Sequence, residues 1–402
     1  MSNTLSTKLR GFVDGTDGSF LAKCFRASVS VISIPYSIII RIRNKLYDYG
    51  LFREIHVGCK TVSVGNLTLG GVGKTPFISW MTNHCLELGL KPGLVSRGYK
   101  AKEQESLYAN SPKTSPSTRK QSDNSQPIDQ YQTLNDEALE QALRFPATPH
   151  FLGPNRVEVA AELLNQYPEV NILLLDDAFQ HRRIARDIDI LLLDALNPFG
   201  GERLVPSGFL REPLSGMNRA DVVILNRADL IQPIEREKIR TRTKKIAPHA
   251  LWAEITQRPR FVFHYEESAD QISRQTLGFS THKIDYKVWK NSPIASKRFV
   301  AFCGLGAPLG FQKNLEREGL DVKSFIAFPD HCIYTLEHYE RLLVEAKQTN
   351  ADAFITTMKD FVKLGAFFKR SNIPVYAIEI EVEFLSGQNS FEELLHQKLL
   401  SL

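Results

Sequence analysis

The chain has 402 residues, 43% of them apolar and 24% charged, which excludes an intrinsically disordered or fibrous protein and leaves room for two buried cores. A formal charge of +5 suits anionic partners such as a nucleotide, a membrane surface or a nucleic acid, without choosing among them. Cys24, Cys59, Cys85, Cys303 and Cys332 are scattered and form no C-x-x-C pair, which argues against a zinc site or a disulfide framework and for a reducing compartment.

The first unusual segment is the apolar run from Val29 to Ile40, broken by Pro35 and too short to span a bilayer, which takes about 20 apolar residues. Lys8, Arg10, Lys23 and Arg26 precede it, and Arg41, Arg43 and Lys45 follow. An apolar segment bracketed by cations suits a helix lying in the interface of an anionic membrane, with a buried core element as the alternative. Next, Thr61–Val64 reads as a buried strand, followed by Thr68-Leu69-Gly70-Gly71-Val72-Gly73-Lys74-Thr75 and a helical pattern from Pro76 to about Leu88, ended by Gly89. Strand, glycine-rich loop, Gly-Lys-Thr and helix is the phosphate-binding loop of nucleoside triphosphatases and kinases. Its glycines let backbone N–H groups of Thr68 to Gly73 close on phosphate oxygens, Lys74 can reach the β/γ-phosphates, and Thr75 can ligate Mg²⁺. The loop departs from the common pattern at its first position, where Thr68 replaces Gly.

A strand is predicted at 92–96, then composition turns to Ser, Gln, Pro and Thr over 101–134, a stretch expected to be a disordered insertion. Helices follow at about 138–145 and 157–165, and strands at 171–175, 188–193 and 222–225. Asp176-Asp177 ends the first of these strands, at the edge where open α/β sheets bind ligands, and reads as a Mg²⁺ carboxylate pair. Arg211-Glu212 lies in a Gly/Pro-rich loop that on its own reads as solvated. Asn226-Arg227-Ala228-Asp229 resembles the base-reading loop of GTPases, making Asn226 a nucleotide contact and leaving GTP open on motif grounds. Residues 231–296 are polar and hard to place, with a strand or two near 246–263. Strands return at 299–303, 321–327, 353–357 and 375–380, and Asp330-His331 follows the second as an acid–base candidate. Alternating strands and helices imply parallel sheet with helices on both faces.

Taken together these segments resemble the tetraacyldisaccharide 4′-kinase (lipid A 4′-kinase) family. The residues that carry it are Gly65-Asn66-Leu67-Thr68 and the loop through Pro76, Ser96-Arg97-Gly98-Tyr99, Asp136-Glu137, Gly153-Pro154-Asn155-Arg156 and Asp176-Asp177-Ala178-Phe179-Gln180-His181. Gly200-Gly201-Glu202-Arg203, Leu210-Arg211-Glu212-Pro213 and Phe328-Pro329-Asp330-His331 complete it in the family's order. The family itself lacks the first loop Gly, whereas Asn135 and Ala138 flanking Asp136-Glu137, and Ala178, depart from its usual Gly, Pro and Gly.

The resemblance implies an α/β fold: a P-loop NTPase-like parallel-sheet domain, a second, smaller α/β/α domain and an N-terminal membrane-associating helix. Blocks are expected at 1–50 (membrane-associating), 51–245 (kinase domain), 246–297 (linker or hinge) and 298–402 (smaller domain). It implies ATP- and Mg²⁺-dependent phosphorylation of the 4′-hydroxyl of a tetraacylated glucosamine disaccharide 1-phosphate to give lipid IVA, at the cytoplasmic face of the inner membrane, with no nucleic acid and no obligate protein partner. By resemblance Lys74 and Thr75 are the phosphate-loop pair. Asp136 is the acid that helps activate the sugar hydroxyl, with His331 its partner. Asp176 and Asp177 are metal-site acids, and Arg211 and Glu212 reach phosphate and metal. The competing expectation is a nucleotide-driven switch or ATPase working with a protein partner; such proteins typically carry Lys where this chain has Leu69.

Overall fold

The computed structural model describes residues 20–97, 105–107, 136–266, 280–330, 332–364, 368 and 371–400. Gly98, Tyr99, His331 and all of the 101–134 stretch except 105–107 lie outside the described residues.

In chain order the elements are α1 (Phe20–Asp48), β1 (Lys60–Asn66), α2 (Lys74–Glu87), β2 (Pro92–Ser96), β3 (Glu105–Leu107), α3 (Asp136–Arg144), β4 (His150–Leu152), α4 (Arg156–Gln166) and β5 (Ile172–Asp176). There follow β6 (Ile188–Asp194), β7 (Val222–Asn226), α5 (Pro233–Ile246), β8 (Leu251–Glu266), β9 (Ser280–Asp285) and β10 (Phe299–Cys303). Last come α6 (Pro308–Arg317), β11 (Val322–Ala327), α7 (Leu336–Thr349), β12 (Ala353–Thr357), β13 (Val375–Ser386) and α8 (Gln388–Leu400). Mostly parallel sheet with flanking helices is the expected α/β architecture.

The chain forms two compact units, each discontinuous in sequence: 1–92 with 155–256 and 382–402, and 93–154 with 257–381. The blocks expected from sequence are contiguous, whereas each of these units gathers separate stretches of chain. The second unit holds Asp136, which had been assigned to the block carrying the phosphate loop. Within the block expected as a linker, residues 251–266 are one long strand. Its ladders with β7 and β9 cover 251–254 and 261–266, leaving Pro259, which has no N–H to donate, between them.

In the first unit β5, β1, β6, β7 and the start of β8 lie side by side, all parallel. Their residues are almost wholly buried, as expected of strands covered on both faces. Leu67, Phe179, Leu191, Leu193, Met217, Val223 and Leu225 form one core cluster. The apolar N-terminal run proves to be part of α1, which continues through Pro35. Among the described residues no helix is long and apolar enough to cross a membrane.

In the second unit β2 pairs with β4, β4 with β3, and β11, β10, β12 and β13 run parallel in that order. Alternation along β10 divides the core: Val300 and Phe302 pack into one cluster, Phe299, Ala301 and Cys303 into the other. Full burial of a side chain such as Phe302 contributes about 1.5–3 kcal/mol.

His150 on β4 accepts or donates a 2.8 Å bond with Ser96 Oγ through Nε2 and is pushed by burial from an ordinary 6.5 down to about 4. Unfolded chain takes up the proton near pH 6.5 and folded chain near 4, so stability is whole above 6.5 and falls between those values. From this group, urea unfolding free energy is expected to drop by about 2 kcal/mol between pH 6.5 and 5. His150→Gln should show a shallower drop; an equal one would contradict the assignment.

Candidate active site

Because the strands of the first unit are parallel, their last residues share one edge of the sheet, and these are all polar: Asn66 of β1, Asp176 of β5, Asp194 of β6 and Asn226 of β7. The phosphate loop rises from this edge. Gly70 (φ 111°) and Gly73 (φ 80°) adopt left-handed backbone that other residues rarely take, and Gly73 is the N-cap of α2. Two neighbouring strands brace the loop from behind. The Asn226 amide donates to the Val72 carbonyl at 2.7 Å, and Arg227 donates to the Gly71 carbonyl at 3.1 Å while paired with Asp194 at 2.6 Å.

Asn226 was expected to touch the nucleotide. Its amide nitrogen is on Val72, its oxygen accepts the Arg227 N–H at 2.8 Å, and the side chain is fully buried. Thr68 was also expected among the nucleotide contacts. It is buried, its carbonyl accepts from the Asn66 amide at 2.6 Å, and it bridges to Leu210. Gly70, Gly71, Gly73 and Lys74 remain where the loop is open or half-open to solvent.

Lys74, the first residue of α2, reaches Asn66 Oδ1 at 3.1 Å and Asp177 Oδ1 at 3.3 Å. Asp177 (φ 52°) also accepts from Arg211, 2.7 Å to Oδ1 and 2.9 Å to Oδ2. Burial alone would raise the Asp177 pKa, but Lys74 and Arg211 outweigh it and hold the carboxyl well below the usual range. It therefore stays ionised at neutral pH, and its contribution to stability is lost only as pH falls below the ordinary carboxylate value towards that depressed one. Lys74, Asp177 and Arg211, three of the residues singled out from sequence, thus meet at one point beside the loop. Thr75 follows Lys74 on the same helix, and Asp176 precedes Asp177.

Glu212 is different. It is 2% exposed; Oε1 accepts from Gln180 at 3.0 Å and Arg219 at 2.9 Å, and Oε2 from Asn44 at 2.9 Å. Both of its oxygens are engaged by protein donors, which makes it a hub of this edge, although sequence pointed to it as a metal ligand. Gln180 extends the hub to β1 through a 2.8 Å bond to the Asn66 carbonyl. Sequence reasoning assigned no role to Gln180, Asn66, Arg219 or the Arg227–Asp194 pair. Their signal was only that the first two lie inside the motif segments.

Gly65 explains how the Asp176–Gln180 turn packs so closely on β1: a Cβ there would lie 2.6 Å from Phe179 Cβ and 2.8 Å from its backbone nitrogen. Gly65→Ala is expected to destabilise by about 1–3 kcal/mol through overpacking, read from the shift of the denaturant midpoint. An unshifted midpoint would mean that the turn yields freely.

The described residues place Asp136 at the start of α3 in the second unit, whereas His331 lies outside them.

Known proteins resemble this chain over nearly its whole length. The family model described as Tetraacyldisaccharide-1-P 4′-kinase matches residues 25–400. The chain is 30% identical over 407 residues to a protein of Halothermothrix orenii named tetraacyldisaccharide 4′-kinase, covering 99% of each. It is 31% identical over 359 residues to the one of Geobacter metallireducens, covering 89% of this chain and 94% of that one. Among solved structures it resembles LpxK of Aquifex aeolicus, crystallised in complex with ATP, with TM-score 0.65 and 25% identity over 93% of this chain and 99% of that one. The chain accordingly belongs to the tetraacyldisaccharide-1-P 4′-kinase family and is a kinase.

Proposed function

We propose that the protein transfers the γ-phosphoryl group of ATP to the 4′-hydroxyl of a tetraacylated glucosamine disaccharide 1-phosphate, giving lipid IVA. The observation that carries this reading is the meeting of Lys74, Asp177 and Arg211 beside a glycine-rich loop at the N-terminus of α2. Phosphoryl transfer asks of a protein chiefly positioning and charge neutralisation. The backbone N–H groups of Gly70 to Lys74 and the N-terminus of α2 would take the β- and γ-phosphate oxygens. Lys74 and Arg211 would then exchange part of their hold on Asp177 for phosphate.

Mg²⁺ fits this edge. Among the described residues no three His, Cys, Asp or Glu side chains group into a metal cage. Mg²⁺ is ordinarily held by one or two carboxylates, water and substrate phosphate, and needs no such cage. Thr75, Asp176 and Asp177 would hold it, and it would neutralise charge on the phosphates. Asp136 would help activate the sugar hydroxyl together with His331; transfer retained by Asp136→Ala would remove that role.

The protein acts at a membrane surface, in this reading the cytoplasmic face of the inner membrane, with residues 1–50 as its membrane-associating segment and no obligate protein partner. What supports it is α1, whose Ile34, Ile38, Ile39 and Ile42 are each more than half exposed, with Arg41 and Lys45 exposed alongside. The acceptor is tested with a 4′-deoxy analogue. Labelled phosphate should pass to the parent disaccharide and not to the analogue; equal labelling of both would place the acceptor oxygen elsewhere.

A further inference from the structure

The helix with the exposed isoleucines is also bonded to the phosphoryl-transfer site. Its opposite face carries Tyr36, whose hydroxyl donates to the Arg211 carbonyl at 2.7 Å, and Asn44, whose amide donates to Glu212 Oε2 at 2.9 Å. Between these, Arg43 donates to the Gln180 carbonyl. Ile34, Ile38 and Ile42 recur every four residues, so they share the face turned away from these bonds. The Arg211 backbone is held from two sides, its carbonyl by Tyr36 and its N–H by a 2.7 Å bond to the Leu67 carbonyl at the root of the phosphate loop.

We infer that Tyr36 and Asn44 are positioning residues for the transfer, fixing Arg211 and Glu212 from the helix that rests on the lipid, given the proposed role of Arg211 at the phosphate. The occupant of the outer face is the bilayer itself: it is apolar and flanked by Arg41 and Lys45, which complement anionic headgroups. A helix seated on the membrane and an Arg211 aimed at Asp177 are then two consequences of one rigid element. Shifting the helix along or off the surface would move the Arg211 carbonyl with it.

Tyr36→Phe removes only the hydroxyl and keeps the ring. In micelles containing the tetraacyl disaccharide 1-phosphate it is expected to lower kcat about 5- to 10-fold, the equivalent of one hydrogen bond. The KM values for ATP and lipid, the thermal midpoint and co-sedimentation with phosphatidylethanolamine–phosphatidylglycerol vesicles should stay unchanged. Asn44→Leu, which strips Glu212 Oε2 of its donor, should lower kcat further and cost stability as well. Unchanged kcat in the Tyr36→Phe protein, or a loss seen wholly in lipid KM and vesicle binding, would overturn the inference and leave the helix as an anchor alone. Absence of transfer by the unsubstituted protein would instead remove the kinase reading, and this role with it.

Discussion

Lys74→Ala is expected to reduce kcat/KM for phosphoryl transfer by about 10²–10³-fold or more, the scale of removing a donor aimed at developing charge. In this structure the Lys74 ammonium is shared between Asn66 Oδ1 at 3.1 Å and Asp177 Oδ1 at 3.3 Å, within reach of the loop that precedes it. Without it Asp177 keeps only the Arg211 pair, so its pKa rises towards the ordinary carboxylate range and the local charge becomes one unit more negative just where phosphate must approach. Lys74→Arg should not restore the rate, because a planar guanidinium cannot replace a point charge in that space. Steady-state transfer with ATP titrated at fixed lipid reads the effect. A variant within a few-fold of the parent would show that the backbone cradle and Arg211 suffice.

Glu212→Ala should have the largest effect on stability, a loss of about 3–5 kcal/mol, as expected when one partner of a buried ionic network is removed. The side chain is 2% exposed and accepts from Gln180, Arg219 and Asn44; its loss takes the carboxylate partner from the part-buried Arg219 guanidinium. Arg219 also stacks over Phe179, 4.6 Å from the ring centroid, so the disturbance spreads to the turn that carries Asp177. The two accounts of Glu212 separate cleanly. A hub loses stability whether or not Mg²⁺ is present, whereas a metal ligand leaves the metal-free protein untouched. Denaturant unfolding in EDTA should therefore already show the full loss; an unchanged midpoint in EDTA would restore the metal role.

Much of the sheet was legible because its strands are short apolar runs that end in a polar residue, as in Ile172–Asp176 and Val222–Asn226. The phosphate loop was legible because chemistry requires its glycines and lysine at fixed spacing. The helix 233–246 was not, because it buries only Ile239 and Thr243 and otherwise reads as a charged run. Nor were the two compact units, since each gathers distant stretches of chain that no local pattern links. Within the site, Lys74 and Asp177 announce themselves by residue type and place. The duties of Asn226 and Glu212 do not, because an amide on a loop carbonyl and a carboxylate bonded by three donors depend on neighbours up to 168 residues away. Residue type there suggested ligand contact, while the bonds and burial of both residues lie beyond any local pattern.

The most direct test of the central claim is transfer of labelled γ-phosphate from ATP to a tetraacyl disaccharide 1-phosphate in detergent micelles, with and without Mg²⁺. The arrangement of Lys74, Asp177 and Arg211 predicts a labelled 1,4′-bisphosphate that forms only with Mg²⁺. Folded protein that binds ATP and yet leaves the disaccharide unlabelled would contradict it.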